Sequence, residues 1–168
     1  IIFSFLLNIE LKADEFDISA KEILLDKDNK ILIGKGSVEA TDSEGKIINA
    51  DKITYNKSTE FLLAEGNVKI KDIEGNIIKS NKATYDKVNE LIIAYDNSEL
   101  ILEGGYSLIS QNISYEIKKK ILSSSEESIF SDLDGNVINT TMFQYNINDS
   151  LFSSVGKIKI IDINKNKY

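Results

Sequence analysis

Lys46–Gly75 reads KIINADKITYNKSTEFLLAEGNVKIKDIEG. Ile48 and Ala50, and then Ile53 and Tyr55, alternate with polar neighbours. Such alternation puts the members of each pair on one face of a β-strand. The step from Ala50 to Ile53 is odd, so a bulge or bend belongs there to restore the facing. A polar turn, Asn56–Glu60, follows. The second strand, from Phe61 to Asp72, carries Leu62, Ala64, Gly66, Val68 and Ile70 on one face. Glycine in mid-strand, here Gly66, predicts a kink or the close approach of another backbone. The stretch closes in Glu74-Gly75-Asn76, and a later one in Asp134-Gly135-Asn136. Asp-Gly between alternating strands is the strongest short-range hairpin signal.

The stretch is one copy of a repeat. Gly45, Gly75, Gly105 and Gly135 are 30 residues apart, and Tyr55, Tyr85, Tyr115 and Tyr145 keep the same step. A fixed period of this size means one supersecondary unit reused, with apolar faces buried against neighbouring units. In this frame the units are 16–45, 46–75, 76–105, 106–135 and 136–165. The slot of Ile48 recurs as Ile18, Ile78, Leu108 and Ile138, and that of Ala50 as Ala20, Ser80, Ser110 and Thr140. That of Ile53 recurs as Ile23, Ala83, Ile113 and Phe143. The expected fold is all-β, an antiparallel meander of ten or more strands with no amphipathic helix.

Composition narrows the function. In 168 residues there is no His, Cys, Trp or Pro, all 20 basic residues are lysine, and the formal net charge is −7. Without His or Cys, zinc, haem, thiol and serine–histidine chemistry are effectively excluded. Without arginine forks or a basic patch, nucleic acid is not an expected partner. Carboxylate-only catalysis survives as a class, but the candidates are poor. Glu126 and Glu127 point to opposite faces of a strand, and Asp132 and Asp134 flank a hairpin glycine, where Asp is a good turn residue. The acidic turn matches no calcium-loop signature. Lys118-Lys119-Lys120 falls in a turn and reads as solvated. No catalytic residue, metal or cofactor is expected.

Two regions leave the frame. Residues 1–13, IIFSFLLNIELKA, read as the back half of a secretory signal peptide with Leu11 and Ala13 before the cleavage point. The alternative is a first β-strand. Residues 14–168 then form the folded domain, and Asn166-Lys167-Tyr168 enters a sixth unit that is cut off. In the third and fourth units the mid-strand glycine becomes Asp96 and Glu126, the latter inside Ser123-Ser124-Ser125-Glu126-Glu127-Ser128. A dry core does not welcome these residues. This strand is expected to be weak, short or partly solvated. The other reading is a polar opening in an apolar channel.

The phrases Ala50-Asp51-Lys52-Ile53-Thr54-Tyr55 and Ala64-Glu65-Gly66-Asn67-Val68-Lys69-Ile70, on hairpin units, resemble the OstA-type domain of the lipopolysaccharide transport (Lpt) system. In that family an "A-x-x-A-x-Y" strand alternates with an "a-x-G-x-V" strand. The second unit matches best, the fourth only in its first strand, and the likeness runs from about Phe16 to Ile163. It implies a twisted antiparallel β-jellyroll, an open half-pipe with an apolar interior. It also implies a non-enzymatic role at the periplasm and the periplasmic face of the outer membrane. The implied partners are lipopolysaccharide, other Lpt jellyrolls joined by edge-strand addition, and an outer-membrane assembly partner. Two members suit the pattern, the N-terminal domain of the assembly protein LptD and the free-standing bridge LptA. A structural β-solenoid or adhesin is the competing class. Ile48, Ile53, Leu62, Val68, Ile78, Ile92, Leu100 and Ile138 are the expected lipid-groove residues.

Overall fold

The computed structural model describes residues 9–12 and 16–168. Of the stretch read as a signal peptide, 1–8 and 13 fall outside the described residues, while Ile9–Lys12 is strand β1, paired with β2 (Phe16–Ala20). The chain continues through β3 (Glu22–Asp26), β4 (Ile31–Asp42), β5 (Ile47–Asn56), β6 (Phe61–Lys71) and β7 (Ile77–Asp86). Then come β8 (Leu91–Tyr95), β9 (Ser98–Ile101), β10 (Ser107–Ser110), β11 (Ile113–Glu116), β12 (Ile121–Ser124) and β13 (Ser128–Ser131). The last four are β14 (Val137–Thr140), β15 (Phe143–Asn146), β16 (Leu151–Ser154) and β17 (Ile158–Ile161). All 17 strands belong to one sheet, and every pairing among the described residues is antiparallel.

This sheet is folded on itself. Each of β4 to β7 is bent midway, so that its halves lie in two facing leaves. Leaf one runs β1, β2, the bent strands, β9, β10, β13, β14 and β17. Leaf two runs β3, the other halves of the bent strands, β8, β11, β12, β15 and β16. The result is the antiparallel β-jellyroll expected from the hairpin repeat.

The bend falls where the odd step from Ala50 to Ile53 places it, with the register of β5 on β6 shifting between Asn49 and Lys52. The extra residue is carried by the partner strand. Gly66 and Asn67 both take the left-handed conformation (φ 77° and 48°), as do Gly36 and Ser37. Two left-handed residues opposite one make a bulge, which bends and twists the ladder. Asp96 and Asn97 repeat it (φ 62° and 63°). Asp and Asn tolerate this backbone better than other side chains, so the loss of glycine at 96 keeps the geometry.

The fourth unit lacks the left-handed pair, and its arm breaks into the short strands β12 and β13. Glu126 and Glu127 are exposed, whereas Ser124 and Ser128 are buried. The strand is short, as expected, but it is no sheet edge, because β12 and β13 each have neighbours on both sides. Its hydroxyls satisfy one another, with Ser128 donating to Ser110 (3.0 Å) and Ser110 bonded to Ser124 (2.9 Å).

Turns stack in two rows away from the bend. In leaf one, Asp72 Oδ1 accepts the Asn76 amide (2.9 Å) and Oδ2 the Asn76 side chain (2.8 Å), while Gly75 supplies the left-handed residue (φ 92°). Asp132–Asn136 and Asp162–Asn166 repeat this closure. In leaf two the turns bond unit to unit. Amides of Lys57, Lys87, Ile117 and Ile147 donate to carbonyls of Lys30, Glu60, Glu90 and Lys120 at 2.9–3.1 Å.

Two expectations follow. A side chain at Gly66 would press on the Asp51 carboxylate in a left-handed backbone, whereas Gly135 has open space around it and only the backbone strain. Gly66→Ala is expected to lower stability by about 2–3 kcal/mol and Gly135→Ala by about 1–2 kcal/mol in denaturant titration; equal losses would count against the close approach. Asn136's side chain, then the backbone amides, hold the Asp132 carboxyl below its usual range. The stability this gives is present above about pH 4 and lost as pH falls through the lowered value. Asp132→Asn is therefore expected to flatten the acid limb of the stability profile.

Candidate functional site: the interior and its seam

The inner faces of both leaves are apolar, and the eight expected groove residues all point between them. Ile48, Ile53, Leu62, Val68, Ile78, Ile92 and Leu100 are at most 3% exposed, and Ile138 is partly buried against the same cluster. The repeat brings them together as one continuous layer. They line a filled interior: the enclosed space between Ile70, Ile78, Ile92, Leu100 and Leu122 is only about 10 Å³. Each buried aliphatic side chain exposed to water would cost about 1.5–3 kcal/mol, so empty leaves close on one another. The larger hollows are elsewhere. One of about 630 Å³, lined by Ile93, Tyr95, Ile121, Met142 and Gln144 among others, lies on the outer face of leaf two. One of about 600 Å³, lined by Ile109, Ile129, Asn139 and Lys159 among others, lies on the outer face of leaf one.

Opposite the bend, the two rows of turns face each other across a seam that no strand pairing among the described residues crosses. The 30-residue tyrosines stand here. Each is the last inward residue of leaf two before a turn, and Tyr55, Tyr85, Tyr115 and Tyr145 are all buried. Tyr55 meets Phe16 of leaf one edge-on, ring centroids 4.9 Å apart, and Tyr145 meets Phe130 at 5.7 Å. Edge and tilted contacts of this kind add about 0.5–1.5 kcal/mol each beyond burial.

Tyr85 meets a buried ion pair. Lys46 Nζ lies 2.9 Å from Asp42 Oδ2, both side chains at most 5% exposed, and donates to the Tyr85 hydroxyl at 3.1 Å. Burial alone would lower the Lys46 pKa, but hydrogen bonds to Asp42 and Tyr85, with their charges, leave it raised. Burial likewise raises the Tyr85 hydroxyl, against the pull of Lys46. In the third unit the corresponding positions are Leu102 and Tyr106, and Tyr106 stacks on Phe130 (5.7 Å, 21°). The same turn is thus closed once by an ion pair and once by apolar packing.

Two further polar contacts cross the seam. Lys87 Nζ donates to Ser43 Oγ (3.4 Å), and Lys120 pairs with Glu74 at 2.5 Å. The lysine run is a solvated turn, as read, with the Lys118 and Lys119 side chains 69% and 66% exposed, and these two make surface pairs with Glu90 and Glu116. Beneath Lys120, the Tyr115 hydroxyl is the one buried side-chain polar atom among the described residues without a hydrogen-bond partner in good geometry. At the far end the inner face is less covered: Ile158 and Ile160 of β17 are 45% and 37% exposed, and Phe152 of β16 is half-buried.

No group of three or more carboxylates converges as a metal site among the described residues. Asp132, one of the carboxylates weighed for chemistry, is occupied as a turn cap. Sequence reading placed the tyrosines in an inward slot but missed their cross-leaf contacts and the Asp42–Lys46 pair. The alignment of Asp42, Asp72, Asp132 and Asp162 in the frame was the available signal.

No family profile and no curated protein matches this chain in sequence. Among solved structures it is similar to LptH of Pseudomonas aeruginosa, the LptA-homologous periplasmic component of the lipopolysaccharide transport device. Identity is 14% and the TM-score 0.59, over 87% of this chain and 93% of that one. The likeness is one of fold.

Removing Lys46 alone strands the Asp42 charge. Lys46→Ala is expected to cost about 3 kcal/mol or more. The double change Asp42→Leu with Lys46→Tyr, which copies the third unit, is expected to recover most of that loss in thermal unfolding. Lys46 and Tyr85 both have raised pKa values, so the stability they give is complete below about pH 10 and lost as pH rises through the folded values. The double variant should lose the Lys46 part of that alkaline step and keep the Tyr85 part, since burial holds that hydroxyl up and the pull of Lys46 is gone.

Proposed function

We propose that this chain is a periplasmic lipopolysaccharide-transport module that holds acyl chains between its two leaves and docks edge to edge with other jellyrolls. The observation that carries the reading is the continuous apolar layer from Phe16 and Ile18 to Phe130 and Phe143, enclosed by leaves joined only along the bend and by seam contacts. An acyl chain in water costs about 0.8 kcal/mol per methylene. An elongated apolar interior shields it without chemistry, so the role is non-enzymatic. Fold likeness to LptH supports the same reading. The parallel rungs of a β-solenoid adhesin are absent from the described pairings.

Docking follows from the edges. Beyond β16 the described residues hold no further partner strand, and the terminal segment pairs back on β17 through an antiparallel bridge between Ile161 and Lys167. Unpaired edges accept another strand through main-chain hydrogen bonds. Here the exposed Ile158 and Ile160 would extend the apolar layer into the strands added beyond β17, whether of a further unit or of the next jellyroll. We assign the chain to the periplasmic N-terminal domain of an LptD-type assembly protein at the outer membrane, with a free-standing LptA-type bridge as the second reading. The gene's reading frame decides between them: a long run of barrel strands downstream means the first, an early stop the second.

Photo-crosslinking residues at Ile53, Leu62, Ile92 and Leu100 are expected to capture lipopolysaccharide in cells. Capture from the outward Lys69 alone would overturn the proposal.

A further inference from the structure

Resting on the lipid-shielding reading, the structure also points to where a lipid goes in. The two rows of turns that meet at the seam differ in charge. The tips of leaf one, 43–45, 73–75, 103–105 and 133–135, carry Glu44, Glu74, Glu103 and Asp134 and no lysine. The tips of leaf two carry seven lysines and four carboxylates between 27–30, 57–60, 87–90, 117–120 and 147–150. Opposite charge draws the lips together, and Lys120–Glu74 is a direct ion pair across them. Glu74 is 46% and Lys120 25% exposed at the side chain. A contact this wet is worth about 1 kcal/mol or less, so it closes the seam without sealing it.

Under that pair the packing leaves a small void. The 10 Å³ void is lined from both leaves, by Ile70, Asp72 and Leu102 on one side and Tyr115, Leu122 and Ile147 on the other. Tyr115 is 3% exposed, and its hydroxyl, beside Lys120, makes no hydrogen bond in good geometry there. An unsatisfied buried hydroxyl costs about 1–3 kcal/mol, and a ligand oxygen at this point would recover it. Lys120 supplies the positive charge at the same spot, and the apolar interior begins directly behind. An anionic head joined to an alkyl chain matches that sequence of surroundings.

We propose that the seam at Glu74, Tyr115 and Lys120 is a side entry for an anionic amphiphile, whose head group displaces Glu74 from Lys120 and accepts the Tyr115 hydroxyl while its chain parts the leaves.

The chain has no cysteine, so Glu74→Cys with Lys120→Cys can be joined across the seam by a short, reducible bis-thiosulfonate linker. Uptake of cis-parinaric acid, followed by fluorescence, is expected to slow at least about tenfold when linked and to recover on reduction. Uptake unchanged by the link means entry through the ends and overturns the side entry alone. No uptake even when unlinked overturns the lipid-shielding reading and this inference with it. For the head group, Tyr115→Phe and Lys120→Gln in the otherwise native chain are expected to weaken parinaric acid about tenfold each, from the loss of a charge-assisted hydrogen bond. Its methyl ester should be unaffected, and equal weakening of acid and ester overturns the head-group assignment. Competition by phosphatidylglycerol and by purified lipopolysaccharide separates the two sources of such a head: either one displacing the probe supports the site, and displacement by neither overturns it.

Discussion

Everything in this molecule depends on a pair of consecutive left-handed residues placed in the middle of a strand. Gly36-Ser37, Gly66-Asn67 and Asp96-Asn97 hold positive φ at both positions. Each pair faces a single residue on the neighbouring strand, which bends the ladder at that point. Because the pairs recur every 30 residues, the bends align into one crease. Without the crease the same hairpins would make a flat sheet with one apolar face in water, and that is an aggregating surface rather than a domain. The crease turns the apolar face upon itself.

Once the leaves face each other, the residue before each leaf-two turn comes to stand opposite leaf one. That position is held by the periodic tyrosines, whose rings fill the gap while their hydroxyls reach toward the turns. The seam is therefore built from contacts of uneven strength. Phe16 against Tyr55 and Phe130 against Tyr145 are dry, Asp42–Lys46–Tyr85 is buried and ionic, and Lys120–Glu74 is wet. The weakest of these contacts lies over the Tyr115 hydroxyl, which makes no hydrogen bond in good geometry. Strength along the seam thus follows local sequence within a constant backbone frame.

Strand order, turns, the bend after Ala50 and the inward set from Ile18 to Leu108 were all legible in the sequence, because each is a local property with a period. Alternation tells which face a residue takes. It does not tell which residue of the opposite leaf it meets, and so Tyr85 on Lys46 and Lys120 on Glu74 were out of reach. Two departures from the pattern divide in an instructive way. Asp96 broke the glycine rule but not the physics behind it, since aspartate accepts the left-handed backbone. Glu126 broke both, and there the arm gives way to a loop braced by Ser110, Ser124 and Ser128. The filled interior was not legible either: side chains sized to line a groove are equally sized to close it when nothing occupies the space.

The unit-to-unit hydrogen bonds between leaf-two turns, Lys57 to Lys30, Lys87 to Glu60, Ile117 to Glu90 and Ile147 to Lys120, are nearly alike at every step. Each unit adds two strands to each leaf, and strands lie about 4.8 Å apart, so each unit advances the structure by roughly 9.6 Å. The cross-section stays the same while the length grows in fixed increments. The protein is in effect a ruler graduated in units of 30 residues. How far it reaches is a matter of how many copies its gene contains, and duplication or deletion of a unit changes that span while leaving the backbone frame as it is.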